Sequence, residues 1–180
     1  MGGDELTPPA GGALATDDVF KVHGFLLNEA ELLDDRKWTE WLELLTDDFQ
    51  YLLPLPVTRD NPELPAYDDI AYLQAENRGT LSGWVARLSP QNIDTAWSEN
   101  PPARVRHFIT NIRARKGDAP GEISVRANIL ISISRLDDAA SVFAAERHDT
   151  LRAEKGALKL ALRKVYLEQN LPTWSLRVIV

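Results

Sequence analysis

Residues 123–134, ISVRANILISIS, alternate apolar side chains with polar ones, Leu130 excepted. Successive side chains of a β-strand point to opposite faces of its sheet, so this pattern predicts a strand with one buried face. The other face is predicted to meet water or a partner. The same period of two continues from Arg104 to the end of the chain, which makes a sheet the dominant feature of the second half.

Turn signals divide this second half into four runs. They lie at residues 117–121, 136–138 and 154–156. Each has the length of an antiparallel hairpin connection, so the four runs predict a meander. In the last run the apolar positions change parity between Leu162 and Val165, which predicts a β-bulge at Arg163 and Lys164 and a bend in the sheet.

The first half begins with helical periodicity. Cap residues and an apolar stripe predict a first helix from Thr16, Asp17 and Asp18 through Val19, Val22, Phe25 or Leu26, Ala30 and Leu33. A second, short helix is predicted to carry one apolar face, formed by Trp38, Trp41, Leu42 and Leu45. Two short helices are therefore expected to pack together before the sheet begins.

A strand and a third helix are predicted next. Residues 49–56, FQYLLPLP, predict an edge strand because Pro54 and Pro56 cannot donate to a ladder. Two aspartates are predicted to open a helix over 68–88, followed by an irregular crossing over 89–102. Helices followed by a long, bent antiparallel sheet describe an α+β domain whose curled sheet wraps the helices.

Composition limits the classes of function. The chain has 180 residues, 44% hydrophobic and 26% charged, as expected for one soluble globular domain. Its formal charge of −7 argues against nucleic acid or a membrane surface as a partner. The pattern has neither a secretory signal nor a membrane span, so we expect a cytoplasmic protein. Residues 1–15 are expected to be a flexible arm and residues 16–180 a single domain.

Three sets of residues could carry chemistry. The histidines His23, His107 and His148 lack the spacing of a metal site, and the chain has no cysteine. A carboxylate and phenols in a cone-shaped cavity could perform acid–base chemistry next to a carbonyl, with candidates Asp94, Tyr51, Tyr72 and Tyr166. Ten arginines on strands need carboxylates or a neighbouring chain as partners: Arg104, Arg106, Arg113, Arg115, Arg126, Arg135, Arg147, Arg152, Arg163 and Arg177.

Residues 97–111, WSENPPARVRHFITN, resemble the signature of the small, or beta, subunit of aromatic-ring-hydroxylating dioxygenases, the Rieske non-haem iron oxygenases. Three further segments agree in order: EAELLDDRKWTEWLELLTDDFQYLLPL at 29–55, RHDTLR at 147–152 and LALRKVYLEQN at 160–170. The resemblance covers nearly the whole chain from about residue 17. It departs from the family at Val105 and Glu168, where other members often carry Thr or Ser and Asp.

The resemblance implies a cone-like curved sheet with flanking helices, similar to nuclear transport factor 2 (NTF2), SnoaL-like and ketosteroid isomerase proteins. It implies no cofactor on this chain, with the Rieske 2Fe-2S cluster and the mononuclear iron on the large, or alpha, subunit. It further implies an assembly of three large and three small subunits, electrons from NADH through a reductase and ferredoxin, and cis-dihydroxylation of an aromatic hydrocarbon. The glycine- and proline-rich arm and loop suggest a biphenyl-like or polycyclic substrate.

Signature residues carried over by the resemblance are expected to be structural or to lie at subunit interfaces. They are Trp97, Pro101, Pro102, Arg104, Arg106, His107, Asn111, Arg147, Asp149, Leu151, Arg152, Arg163, Leu167 and Gln169. The prolines are expected to fix the entry to the sheet, Trp97 to anchor it, and His107 with Asn111 to pair buried backbone groups.

Two other classes of function stay open from the sequence. One is a stand-alone isomerase or dehydratase with an acid–base pair in the cone cavity, and the other is a simple ligand-binding module. A cavity closed by bulky side chains would count against both.

Overall fold

The computed structural model describes residues 12–61, 63–89, 92 and 101–169. The helices and strands of this part, in chain order, are α1 Thr16–Asp34, α2 Trp38–Leu42, β1 Leu45–Pro56, β2 Tyr67–Asn77, α3 Arg78–Arg87, β3 Arg104–Lys116, β4 Glu122–Ser134, β5 Ser141–Glu154 and β6 Ala157–Leu167. The strands form one curved, unclosed sheet in the order β2-β1-β6-β5-β4-β3. The predicted α+β class is confirmed.

The second half of the chain folds as its pattern predicts. Strands β3 to β6 pair antiparallel with their neighbours in a meander, and β1 joins β6 in parallel. The alternation in β4 is confirmed, because Val125, Ala127, Ile129 and Ile131 are all buried. Helix α1 packs mainly against β3, and its buried side chains join those of the sheet and of Trp41 in one core.

The start of α1 at Thr16 is confirmed, but its cap is not the predicted one. Ala15 is the N-cap residue, and no side chain caps the helix there. Asp17 and Asp18 lie in the first turn, where their charge favours the positive end of the helix dipole. The second helix ends at Leu42, and Leu45 begins β1 instead of sharing the helical face.

The predicted edge strand is wrong in its position. Strand β1 lies between β2 and β6, and its pairing with β2 shifts register between Leu53 and Pro54 and again between Pro54 and Pro56. The pairs of β1 with β6 end at Leu52. The two prolines therefore stand at irregularities of the ladder, where their missing N–H groups cost little.

The helix predicted over 68–88 is wrong in its first half, because residues 67–77 form β2. The Asp68 side chain does accept hydrogen bonds from the backbone N–H groups of Ile70 and Ala71, both at 2.8 Å. These bonds close a local turn within the irregular β1–β2 pairing, where a helix start was predicted. Helix α3 begins one strand later, capped by Asn77 and Thr80 in a capping box.

Two bulges bend the meander. In β6 the pairing with β5 steps from Leu162 to Leu160, so Ala161 is the extra residue. The bulge predicted at Arg163 and Lys164 is thus two residues too late, because Arg163 is itself an inward-facing, buried side chain. In β3 the partners step from Thr110 to Arg113 while β4 steps from Asn128 to Arg126.

Candidate functional site

Four charged side chains meet inside the domain between α1 and the two strands β5 and β6. They are Glu29, Arg147, Asp149 and Arg163, each at most 2% exposed, and we call them the buried charge cluster. Arg163 binds both carboxylates: its Nη1 and Nη2 donate to Glu29 at 2.9 and 2.7 Å, and its Nε and Nη2 donate to Asp149 at 2.9 Å each. Two charges of each sign make the cluster neutral.

Periodicity explains why these residues meet. Glu29 lies on the buried stripe of α1, three and four residues after Leu26 and Phe25. On β5, Arg147 and Asp149 share the inward parity of buried neighbours on either side, and Asp149 stands directly opposite Arg163. Each of the three elements therefore places charge on its buried face, and the fold pairs opposite signs.

The two arginines of the cluster are held differently. Arg147 Nη2 lies 3.4 Å from oxygens of both Glu29 and Asp149, and its Nε has no hydrogen-bond partner within the described residues. Trp41 Nε1 donates to Glu29 Oε1 at 3.2 Å, which gives this carboxylate a further partner. Arg163 is therefore the centre of the cluster and Arg147 its looser member.

Charge pairing overrides burial in this cluster. Burial alone would raise the pKa of Glu29, but the guanidinium groups of Arg163 and Arg147 lower that pKa to about 2. Burial acts to lower the pKa of Arg163, yet the carboxylates of Asp149 and Glu29 raise it above its ordinary value. For Arg147, burial and the neighbouring Arg163 lower the pKa. Glu29 and Arg163 are therefore both charged at neutral pH.

The interior of the curved sheet is filled by bulky side chains at this point. Trp41, Arg147, Arg163 and Phe49 are among the largest fully buried residues. Arg163 binds both carboxylates of the cluster, so neither of them stands free as a general base. This arrangement counts against both the isomerase or dehydratase and the ligand-binding interpretation.

The acid–base candidates are not brought together. Tyr51 is buried on the inner face of β1, whereas Tyr166 lies on the outer face of β6, with its ring 4.9 Å from those of Tyr67 and His148. Tyr72 is exposed on β2, and Asp94 lies outside the described residues. The candidates that lie within the described residues are therefore not assembled into a shared catalytic pocket.

The signature segment is tied to the first helices. His107 Nδ1 lies 2.6 Å from Asp34 Oδ1, and the backbone N–H of His107 donates to the same carboxylate at 3.1 Å. Arg36 donates to the carbonyl of Ala103, and Arg135 Nε donates to that of Pro101 at 3.0 Å. These bonds hold the entry of β3 against the end of α1 and the end of β4.

Asn111 plays a different part from the one expected. It is exposed and adopts a left-handed backbone, φ 55°, in the β3 bulge, so the expectation that it pairs buried backbone groups is wrong. Asparagine tolerates this conformation better than most residues. The bulge changes the direction of the side chains from Ile112 onward, and a groove lies beside it.

This groove lies on the outer face of the sheet and is basic. It has a volume of about 850 Å³ and is lined by Asn111, Ile112, Arg113, Arg115, Ser124, Arg126, Asn128 and Glu146. Arg126 is paired with Glu146 at 2.5 Å. Arg113 and Arg115 have no ion pair or hydrogen bond from their side chains within the described residues. We call this the arginine groove.

Exposed apolar side chains continue the surface beyond the groove. Phe108 is 55% exposed, Leu130 41% and Val142 52%, and they lie on neighbouring strands β3, β4 and β5. Phe108 stands directly opposite Leu130 in the register. Contiguous exposed apolar side chains on a sheet face are typical of a protein interface.

The other predicted residues lie apart from one another. Arg104 and Arg106 are exposed at the start of β3, Pro101 and Pro102 are exposed before it, and Gln169 is exposed after β6. Arg152 bridges Asp48 and Glu122 at 2.6 and 3.0 Å on the surface. Leu151 and Leu167 are buried in the core. Trp97 and Arg177 lie outside the described residues.

The histidines occupy three separate places. His107 contacts Asp34, His148 Nε2 lies 2.7 Å from Glu146 Oε1, and His23 is half-buried on α1. In the part of the chain that the structure describes, no three His, Asp or Glu side chains converge as metal ligands. Among the helices of the same part, none combines the length and the hydropathy that a bilayer crossing requires.

The sequence did not identify Glu29 as a member of the buried charge cluster, or Trp41 as its hydrogen-bond partner. The signal for Glu29 was present, because a carboxylate stood on an otherwise apolar helical stripe. A charge on a buried face needs an opposite charge, which Arg147 and Arg163 supply. The parity of β5 and β6 places Arg147 and Arg163 on the buried face, but the sequence does not show which carboxylates they meet there.

Fold and site together define an α+β domain of the NTF2-like class, with a charge-filled interior and an arginine-rich, partly apolar outer face. A putative scytalone dehydratase from Novosphingobium aromaticivorans shares this fold at 12% identity, with a TM-score of 0.59 over 85% of each chain. At that identity the likeness concerns the fold alone.

Comparison with known proteins then identifies the family. The family model described as "Ring hydroxylating beta subunit" matches residues 28–173. The biphenyl 2,3-dioxygenase beta subunit of Rhodococcus jostii is 33% identical over 83% of this chain and 81% of its own, and the benzene 1,2-dioxygenase beta subunit of Pseudomonas putida strain F1 is 30% identical over the same shares. A chain of naphthalene 1,2-dioxygenase with indole bound in the active site superposes with a TM-score of 0.77 at 26% identity, covering 92% of this chain and 88% of that one. The chain therefore belongs to the small, or beta, subunits of aromatic-ring-hydroxylating dioxygenases.

Proposed function

We propose that this chain is a non-catalytic small subunit that stabilises an oxygenase of three large and three small subunits. The observation that carries the proposal is the neutral buried charge cluster, which fills the interior where related folds could hold a substrate. The uncovered apolar residues of the outer sheet face support a role in assembly. In this proposal, residues 16–180 act as one domain and residues 1–15 as an arm. The exposed signature residues lie at the surfaces that meet other subunits, and the buried ones stabilise the domain.

The iron centres belong on the large subunit in this proposal. A Rieske cluster needs two cysteine and two histidine ligands, and this chain has no cysteine, so its residues do not fit the cluster. The histidines that the structure describes point to separate carboxylates or stand alone, which does not fit a mononuclear iron site either. Electrons would come from NADH through a reductase and ferredoxin to the large subunit, in the cytoplasm.

The proposed reaction of the complex is cis-dihydroxylation of an aromatic hydrocarbon, biphenyl-like or polycyclic. The name of one relative, a biphenyl dioxygenase subunit, supports this substrate class, and that of another, a benzene dioxygenase subunit, supports an aromatic hydrocarbon in general. This chain contributes a rigid framework to the complex and does not contact the substrate. The substrate pocket is expected to lie entirely in the large subunit.

Co-expression with the large subunit tests the proposal. We expect a complex of equal subunit numbers, with iron and biphenyl oxidation present in the complex and absent from the purified small subunit. Sedimentation velocity, metal analysis and product detection measure the three quantities. Bound iron or isomerase activity in the purified chain, or failure of the two subunits to associate, would contradict the proposal.

A further inference from the structure

The arginine groove has unpaired positive charge although the whole chain is acidic. Arg113 and Arg115 have no carboxylate partner within the described residues, and Arg126 shares the groove with them. The chain carries a formal charge of −7, so carboxylates are plentiful on its surface. Guanidinium groups bind carboxylates with good geometry, and a concave groove favours a projecting acidic segment.

One surface segment of the same chain has the matching chemistry. The turn between β4 and β5 contains Leu136, which is 76% exposed in a left-handed conformation, followed by Asp137 and Asp138. Both aspartates are exposed, and neither side chain has an ion pair or hydrogen bond within the described residues. We call residues 136–138 the acidic tip.

Other adjacent acidic pairs of the described part already have partners. Asp18 pairs with Lys21, Asp34 with His107, Asp47 and Asp48 with Arg78 and Arg152, and Asp68 with two backbone N–H groups. The acidic tip is therefore the pair whose carboxylates are both available to a partner. The exposed Leu136 of the tip is apolar and can pack against the exposed apolar residues that border the groove.

The acidic tip cannot reach the groove of its own chain. Both features lie along the same strand β4, because Arg126 is inside that strand and Leu136 follows its end. Ten residues of extended chain separate these positions by roughly 33 Å. A tip from one copy and a groove from another form a head-to-tail contact, which closes a ring when the rotation is right.

We propose that the acidic tip of one copy of this chain binds in the arginine groove of the next copy. Asp137 and Asp138 pair with Arg113 and Arg115, and Leu136 packs near the apolar residues beside the groove. The inference rests on the proposed function, because it specifies how three small subunits contact one another. The inference adds one specific contact to that function, in which every copy contributes its arginine groove to one neighbour and its acidic tip to the other.

Charge reversal tests the contact in the complex with the large subunit. The groove variant R113E/R115E and the tip variant D137R/D138R should each weaken association between small subunits by at least about 30-fold. The four substitutions together in one chain should restore association to within about threefold of the original, because the signs match again. Sedimentation velocity over a dilution series measures the association.

A matched control separates this contact from general charge effects. The variant E31R/D69R changes net charge as much as the tip variant, on exposed positions of α1 and β2, and should leave association unchanged. Exposed substitutions of this kind usually alter stability by less than about 0.5 kcal/mol. Association unaffected by both reversals, or a fourfold variant no better than either double, overturns the inference.

Cross-linking gives a second measurement that does not depend on charge. Because the chain has no cysteine, the variant R113C/D138C carries two thiols, one in the groove and one on the tip. A short bismaleimide should join small subunits into covalent dimers and trimers, whereas R113C or D138C alone should not. If the complex assembles but no such products form, the inference fails while the proposed function stands. If the native subunits do not associate at all, the proposed function fails.

Discussion

Replacing Arg163 by methionine should destabilise this chain more than any surface charge substitution. The change removes a buried guanidinium with two bonds to Glu29 and two to Asp149, and leaves the cluster with two carboxylates against Arg147. Leaving a buried charge unpaired costs about 3–5 kcal/mol. For a domain of this size each kcal/mol shifts the melting temperature by roughly 2–4 °C, so a decrease of roughly 6–20 °C is expected.

The assay is urea and thermal unfolding of the purified small subunit, followed by circular dichroism. Arg152→Met is the matched control, because Arg152 also bonds two carboxylates but at the surface, where such pairs contribute about 0–1 kcal/mol. In the double variant Glu29→Gln/Arg163→Met one charge of each sign is gone, so it should lose less stability than the sum of the single changes. A loss below about 1 kcal/mol for Arg163→Met, or strict additivity, would refute the reasoning from buried charge balance.

Three further predictions concern the same surfaces and the same cluster. The folded pKa of Glu29, about 2, lies below its ordinary 4.5, so its ionisation contributes about 3 kcal/mol to the free energy of unfolding above pH 4.5, and this contribution is lost as the pH falls toward 2. In urea unfolding, the stability of Glu29→Gln should therefore fall less steeply with decreasing pH than that of the original chain. Equal pH dependences of the two chains would contradict this prediction. His107→Gln should lower stability by about 1–3 kcal/mol through the lost bond to Asp34 while iron per complex stays constant, and metal analysis that shows iron loss from an intact complex would reject the assignment. Arg104→Glu or Arg106→Glu should weaken assembly, because both side chains are exposed at the start of β3; unaltered sedimentation of the mixed subunits would exclude them from the interface.

The meander was predictable because each of its strands carries its own signal. Alternation along β4 places Val125 and Ile129 inside without reference to any other strand, and the hairpin turns follow from local chemistry. Resemblance over four ordered segments was enough to identify the family. Errors are concentrated where a local signal has two outcomes: Asp68 makes the backbone hydrogen bonds of a cap, yet a strand follows it.

By itself, the amino-acid sequence determined the α+β class, the meander, the first helix and the family, because periodicity and turn chemistry act over a few neighbouring residues. Tertiary structure decided which charges are buried together and which arginines stay unpaired. Arg163 and Arg113 are both strand arginines; one meets two carboxylates from α1 and β5, and the other lines an outer groove. That difference depends on contacts between residues more than a hundred positions apart, Glu29 and Arg163 above all. Such pairs form only when helix α1 packs against the curved sheet.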